Sequence, residues 1–309
     1  MISEIKDGDN ISGIYLIKSA SKSLSNTGKS YLNVTLQDKS GTIDAKKWDV
    51  TEEDMVIFKV GSVVQVEGDA YIYKDKLQVK IYSGFSVDSA SADVSSLILE
   101  SPIPLEELLK RYNYFMASVK NEDCRKILKG VFDKYYKSFI DYPAAVSNHH
   151  DFYHGLLFHT ISMCNLAEQI AKLYPDVDYD ILITGCLLHD IGKVSEFSGI
   201  VATHYTEEGN LLGHISIGMS IVKEVADEQK ITGEVPLLLE HMILSHHGKQ
   251  EFGSPVLPET REALLLSMID ELDSKMMTLD KAYKNVEEGE YTDRIFAFEG
   301  RSFYKPHKF

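Results

Sequence analysis

The residues best suited to chemistry in this chain are histidines and aspartates that recur, well separated, through its C-terminal part. The adjacent pair His189-Asp190 sits in the run Leu187-Leu188-His189-Asp190-Ile191-Gly192-Lys193. His159 lies upstream in Gly155-Leu156-Leu157-Phe158-His159-Thr160, and His214, His246-His247, Asp270 and Asp273 follow downstream. Neutral imidazoles and carboxylates hold divalent ions such as zinc, manganese and iron, and no cysteine pair competes for that role. A lone histidine on an apolar helical face is more often a hydrogen-bonded core residue than a ligand. His246-His247-Gly248 alone reads as a helix end with imidazoles near the carbonyl pole, and Asp270 with Asp273 as a solvated acidic edge. Five such segments in one chain make those readings a run of coincidences. A shared metal centre accounts for them together.

Helical periodicity says how these groups are positioned. If 156–174 is a helix, His159 shares a stripe with Met163, Leu166 and Ile170, the face expected to meet the core. His214 begins a similar stripe with Ile217, Ile221 and Val225, and His246 follows Leu239, Met242 and Ile243 on the preceding helix. Asp270 shares a face with Leu266, Asp273 and Met277. Polar groups thus interrupt several apolar stripes, where burial is costly unless they are paired or ligated.

This pattern resembles the HD-domain metal-dependent phosphohydrolase superfamily: a His, an adjacent His-Asp and a distant Asp on an all-helical core. His159, His189-Asp190 and Asp270 match it, and His214 with His246-His247 resemble the additional ligands of two-metal members. A closer similarity, over essentially the whole chain, is to the YhaM family of bacterial exoribonucleases. It is carried by Leu187 to Lys193, Thr206-Glu207-Glu208-Gly209, Gly213-His214-Ile215 and the run from His241 to Pro255. The resemblance implies a small N-terminal OB-fold β-barrel followed by an all-α HD-domain helical bundle. It also implies a 3′-end exonuclease acting on single-stranded RNA and releasing nucleoside monophosphates, with single-stranded DNA a further candidate partner. Its cofactors are two divalent metal ions, with Mn2+ the ion the family implies. One departure is visible: the usual Gly-Gly-Leu-Leu reads His154-Gly155-Leu156-Leu157 here.

The expected ligand sets are His159, His189, Asp190 and Asp270 for one ion, and Asp190, His214, His246 and His247 for the other, with Asp190 bridging. Two ions about 3.5–4 Å apart can lower the pKa of bound water from about 15.7 towards 7 and neutralise charge on a phosphoryl group. Lys193 follows closely enough to set a cation beside the substrate phosphate; its plainer reading is a solvated lysine ending a helix. Asp273 is expected as an outer-shell base or as a group orienting a ligand. For His150 and His154, a surface position is the simpler reading and substrate contact the alternative.

At 309 residues and 44% hydrophobic content, two packed domains are expected. No apolar run approaches membrane-spanning length, and the start of the chain lacks a basic segment followed by an apolar one, so a cytoplasmic location is expected. Cys124, Cys164 and Cys186 read as reduced core thiols. The net charge of −15 is unevenly spread: residues 1–87 hold 11 Lys against 12 Asp plus Glu, or −1, and the remaining 21 basic and 35 acidic residues give −14. Composition alone therefore does not announce an RNA partner.

The part expected to hold RNA is residues 1–87, where five short strands are separated by turn residues. Strand residues are expected at 13–17, 31–36, 42–48, 63–73 and 77–85, a spacing that suits an OB-type barrel. Leu32, Val34 and Leu36 alternate with Tyr31, Asn33 and Thr35, and Ile43 and Ala45 with Asp44, Lys46 and Trp48, so one set lines the core and the other faces out. Tyr31, Asn33, Lys46 and Trp48 are the RNA-binding candidates: an aromatic stacks on a base for about 1–3 kcal/mol and a lysine follows the backbone. Trp48 plugging the barrel end is the competing reading. Residues 88–104, rich in Ser, Ala and Asp, read as a linker, and 105–309 as the HD domain with its tail. The aromatics after Glu287 are expected to pack on the core or on a second subunit of a homo-oligomer. Rival functions are hydrolysis of nucleotides or cyclic dinucleotides, and non-catalytic nucleic-acid binding.

Overall fold

The computed structural model describes residues 1–25, 28–88, 94–145, 152–200, 203–284 and 286–308. The chain divides into two compact units: Met1–Glu100 with Gly199–His204, and Ser101–Ser198 with Tyr205–Phe309.

In the first unit β1 (Asn10–Leu24), β2 (Ser30–Asp38), β3 (Gly41–Trp48), β4 (Val63–Tyr73) and β5 (Lys76–Val87) close a barrel in the order β1-β2-β3-β5-β4. All pairings are antiparallel except β3 with β5. This is the OB topology. The alternation expected for β2 and β3 holds: Leu32, Val34, Leu36, Ile43 and Ala45 line the core. The β4–β5 hairpin turns through Lys74 and Asp75, both left-handed, which aligns the turn with the strands' twist. β1 is longer than its apolar stretch suggests, because it pairs with β4 along its first half and with β2 along its second, across a bulge between Ile17 and Ser19. Its second half is polar because only β2 covers it there, so the chain reads as loop.

Between β3 and β4 lies α1 (Glu52–Ile57), which periodicity alone missed. Thr51 and Asp54 form its capping box, the local signal that starts such a short helix. The next residue, Phe58, is the aromatic that fills the barrel core, 1% exposed. Trp48 is absent from that core and half-buried on the outside, so it does not plug the barrel. Past β5, Ser89–Asp93 of the expected linker lie outside the described residues. Beyond them Leu97 is buried against Leu16 and Val63.

The second unit is helical: α2 (Leu105–Ser118), α3 (Glu122–Asp141), α4 (Gly155–Leu173), α5 (Tyr179–Leu188), α6 (Lys193–Glu196), α7 (Glu207–Glu228), α8 (Glu234–Ser245) and α9 (Arg261–Tyr283). Every residue of α5 from Ile181 to Leu188 is buried. A helix apolar on all sides must sit inside, and α5 is packed against α3, α4, α8 and α9. Asp178 caps its start, accepting from the Ile181 N–H at 3.0 Å. The C-terminal tail folds back as a small bridge-paired loop, Tyr291 opposite Tyr304 and Ile295 opposite Arg301. Lys305 Nζ then donates to the carbonyls of Tyr283 and Val286 at the end of α9. Among the described residues no helix is long and apolar enough to cross a membrane.

Candidate metal centre

Because α5 runs through the middle of the unit, the residues at its end arrive in the core: His189 is 0% and Asp190 3% exposed. Gly192 then lets the chain turn hard against α7. A Cβ there would lie 1.9 Å from the His214 carbonyl oxygen and 2.7 Å from the Gly218 nitrogen, so only glycine permits the approach. α7 itself bends at Gly213, whose φ of 71° leaves the helical range. The bend frees the His214 N–H, and Glu196 Oε1 accepts it at 2.9 Å. α4 brings His159 from one side, α9 brings Asp270 and Asp273, and His246 and His247 follow the end of α8.

The five imidazoles share one arrangement. His189 Nδ1 donates to the Cys186 carbonyl at 2.9 Å, His246 Nδ1 to the Ile243 carbonyl at 2.7 Å, and His247 Nδ1 to the Phe252 carbonyl at 2.7 Å. His159 Nδ1 meets Asp273 Oδ2 at 2.7 Å and His214 Nδ1 meets Glu196 Oε1 at 3.1 Å. A carbonyl can only accept, so the protons sit on Nδ1 in the first three, and each Nε2 is left as a lone pair. Those Nε2 atoms face one another. His159 and His189 are 3.3 Å apart there, and Asp190 Oδ1 is 3.6 Å from His214 Nε2 and 3.7 Å from His246 Nε2.

Asp190 Oδ1, His214 Nε2 and His246 Nε2 are buried without a hydrogen-bond partner. Orphaned buried acceptors cost roughly 1–3 kcal/mol each, and a cation among them satisfies all three. The donor atoms of His214, His246 and His247 lie within 4.8 Å of one another, and so do those of His159, His189 and Asp190. The residues present therefore fit a divalent cation.

Charge agrees with this arrangement. Burial alone would raise the Asp190 carboxyl, but the Lys193 ammonium and then His189 outweigh it and hold it well below the usual carboxylate range. Burial, with His247 and His189 nearby, holds His246 well below the ordinary imidazole value, which keeps it a neutral donor. His247 is lowered in the same sense, by burial and then by His214. For His159 burial pulls down, but hydrogen bonds to Asp270 and Asp273 on its two nitrogens push it up to about 10. A cation on Nε2 would take the place of the proton that Asp270 otherwise holds there.

Residues 156–275 match the family described as HD domain, and residues 16–84 the one described as OB-fold nucleic acid binding domain. Proteins of Bacillus velezensis and Bacillus subtilis named 3′-5′ exoribonuclease YhaM are each 44% identical over 300 residues, covering 97% of this chain and 96% of theirs. The chain belongs to the YhaM family. A relative of the same name from Bacillus licheniformis matches with the same identity and coverage.

The position where the resemblance implies a glycine, His154, has a backbone that suits one. His154 is left-handed, φ 65°, a conformation glycine takes at no steric cost. The ring is not at the surface, as the sequence suggested, but 8% exposed, its Nδ1 donating to the Ile140 carbonyl at 2.7 Å while it stacks on Tyr153. His150 lies outside the described residues.

Lys193 Nζ is 2.6 Å from Asp190 Oδ2 and lines a cavity of about 360 Å³ shared with His159, Asp190, His246, His247 and Asp270. Asp273 lies behind His159 instead, with its second oxygen accepting from the Ser162 hydroxyl. Two positioning groups escaped the sequence reading, Glu196 and Ser162. Glu196 carried a weak signal, an acid directly before the apolar Phe197 and two residues after Val194; Ser162 carried none.

On the barrel, Tyr31 and Trp48 are cross-strand partners and stack with centroids 4.7 Å apart and planes at 29°. Lys46 Nζ lies 5.2 Å from the Tyr31 ring centroid and 5.6 Å from that of Tyr73. Asn33, opposite Lys46, donates to the Ser23 hydroxyl at 3.0 Å. The four outward residues form one patch, which Tyr73 extends.

Proposed function

We propose that this chain is a metal-dependent exoribonuclease that hydrolyses single-stranded RNA from the 3′ end and releases nucleoside monophosphates. Membership of the YhaM family supports the reaction class. The observation that carries the chemistry is the set of five imidazoles engaged at Nδ1, with Nε2 of His159, His189, His214 and His246 all within 3.7 Å of an Asp190 oxygen.

His159, His189, Asp190 and Asp270 would hold one divalent cation and Asp190, His214, His246 and His247 a second, with manganese the ion proposed. Bound there, such cations activate water for attack and neutralise charge building on the phosphoryl oxygens. The chain's own groups do the rest. Asp190 bridges the two sets because its two oxygens face different imidazoles. Lys193, on the cavity wall, brings an ammonium to the substrate phosphate. Asp273 and Glu196 face Nδ1 of His159 and His214 and act by positioning those rings, a reading supported for Asp273 by the engagement of both its oxygens with His159 and Ser162. Tyr31, Trp48, Lys46 and Asn33 hold the single strand by stacking and charge, which keeps its end at high local concentration.

The test is purified protein with Mn2+ and end-labelled single-stranded RNA, beside Asp190→Asn. A ladder of shortened products is expected, with turnover in the variant reduced by about a hundredfold or more and RNA binding retained. Inert RNA together with hydrolysed free nucleotide would replace this reading by a small-molecule phosphohydrolase.

A further inference from the structure

Among the described residues, the walls of the cavity that holds the candidate ligands are His, Asp, Glu, Lys and Ser side chains, with two exceptions, Ala144 and Phe252. A nucleotide brings three chemistries to such a place: an anionic phosphate, a polar ribose and a flat aromatic base. Imidazoles, carboxylates, hydroxyls and Lys193 suit the first two. For the π-face of the base, the one aromatic ring among the described lining residues that is not a candidate ligand is that of Phe252, and Ala144 presents a single methyl group.

That ring is both accessible and held in place. Phe252 ends a short 3-10 turn, Gln250–Phe252, and is 55% exposed. Its carbonyl accepts the His247 Nδ1 proton at 2.7 Å, and Lys249 Nζ lies 5.2 Å from the ring centroid. Gly253, with φ 100°, closes the turn behind it. The carbonyl that orients the imidazole of His247 belongs to the residue that bears the ring, so the ring's backbone stands at a fixed place beside that ligand.

We infer that Phe252 is the stacking platform for the base of the 3′-terminal nucleotide, an inference that rests on the exonuclease reading. The role assigned to the Phe252 side chain is to hold the substrate. It makes the site prefer an end that carries a base, with little regard to which base, since every base has a π-face.

The experiment crosses protein with substrate. Wild type, Phe252→Ala, Phe252→Leu and Phe252→Trp are each assayed on single-stranded RNA ending in an ordinary nucleotide or in an abasic one. Stacking on an aromatic strengthens binding by about 5- to 150-fold per base. For the ordinary end, KM of Phe252→Ala is expected to rise about fivefold or more, with a smaller change in kcat. Phe252→Leu should behave like Ala, because it restores apolar bulk without a ring, and Phe252→Trp should stay near wild type. On the abasic end all four should agree within about twofold, the cycle closing on a single pairwise coupling. Equal losses on both ends would overturn the inference in favour of a purely structural role, and so would a leucine variant that matches wild type. If wild type itself leaves both RNAs intact, the exonuclease reading fails and the inference with it, a result unlike either of the others.

Discussion

Replacing Asp273 by Asn and by Leu separates charge from geometry at the centre. Asp273 Oδ2 lies 2.7 Å from His159 Nδ1, and Oδ1 accepts from Ser162. In Asp273→Asn the amide oxygen still accepts from Nδ1–H and the NH2 group donates to the serine oxygen, so tautomer and ring orientation survive. The loss is the difference between a hydrogen bond to a charged group, about 1.5–3 kcal/mol, and a neutral one, about 1 kcal/mol. That is about 1 kcal/mol, or roughly fivefold to tenfold in affinity for a cation on Nε2. Asp273→Leu removes the acceptor altogether. His159 is 2% exposed, so its stranded N–H costs a further 1–3 kcal/mol or so, and the ring can shift its proton to Nε2, where it blocks ligation. The loss should then approach about a hundredfold, the upper end of outer-shell effects on metal sites. Calorimetric titration of chelator-stripped protein with Mn2+ reads both numbers, with metal content per chain at saturation as the control. Three indistinguishable affinities, or an Asn variant as weak as the Leu variant, would refute the claim that Asp273 acts by holding the tautomer of His159.

Three further outcomes are expected. Trp48→Ala, which unstacks Tyr31, should weaken binding of long single-stranded RNA by about 1–3 kcal/mol in fluorescence anisotropy and leave turnover of a dinucleotide unchanged; unaltered affinity for long RNA would remove the pair as a platform. Gly192→Ala drives a methyl into main-chain atoms at 1.9 and 2.7 Å, which cannot yield as a side chain would, so it should cost at least about 1–3 kcal/mol in denaturant unfolding and weaken metal binding through His214; a variant with wild-type midpoint and affinity would contradict the close approach. Adding Mn2+ to chelated protein at about a hundred times Kd should stabilise it by about 2.7 kcal/mol for each site filled and raise the melting temperature; an unmoved melting curve would mean that the inward nitrogens do not act together.

Much of this was legible in the chain because burial leaves a local record. The two-residue alternation in Leu32-Asn33-Val34-Thr35-Leu36 and the unbroken apolar run Ile181–Leu188 each report which faces meet a core, and the ligand types state the chemistry. What stayed hidden was local structure set by contact with something distant. The polar second half of β1 pairs only because β2 lies beside it. Phe58 takes the barrel core that Trp48 could equally have claimed, since both are large and apolar and only the barrel's closure selects between them. His154 reads as a surface histidine until Ile140 and Tyr153 are found around it.

At the site the division is sharper. The order and identity of His159, His189, Asp190, His214, His246, His247 and Asp270 are properties of the sequence alone, and they were enough to name a metal chemistry. Which nitrogen of His159 and His214 faces inward was decided only by tertiary structure. His189 and His246 bond at Nδ1 to carbonyls three residues back and His247 to one five residues on, all local partners, but Asp273 and Glu196 reach the Nδ1 atoms of His159 and His214 from other helices, at sequence separations that no periodicity encodes.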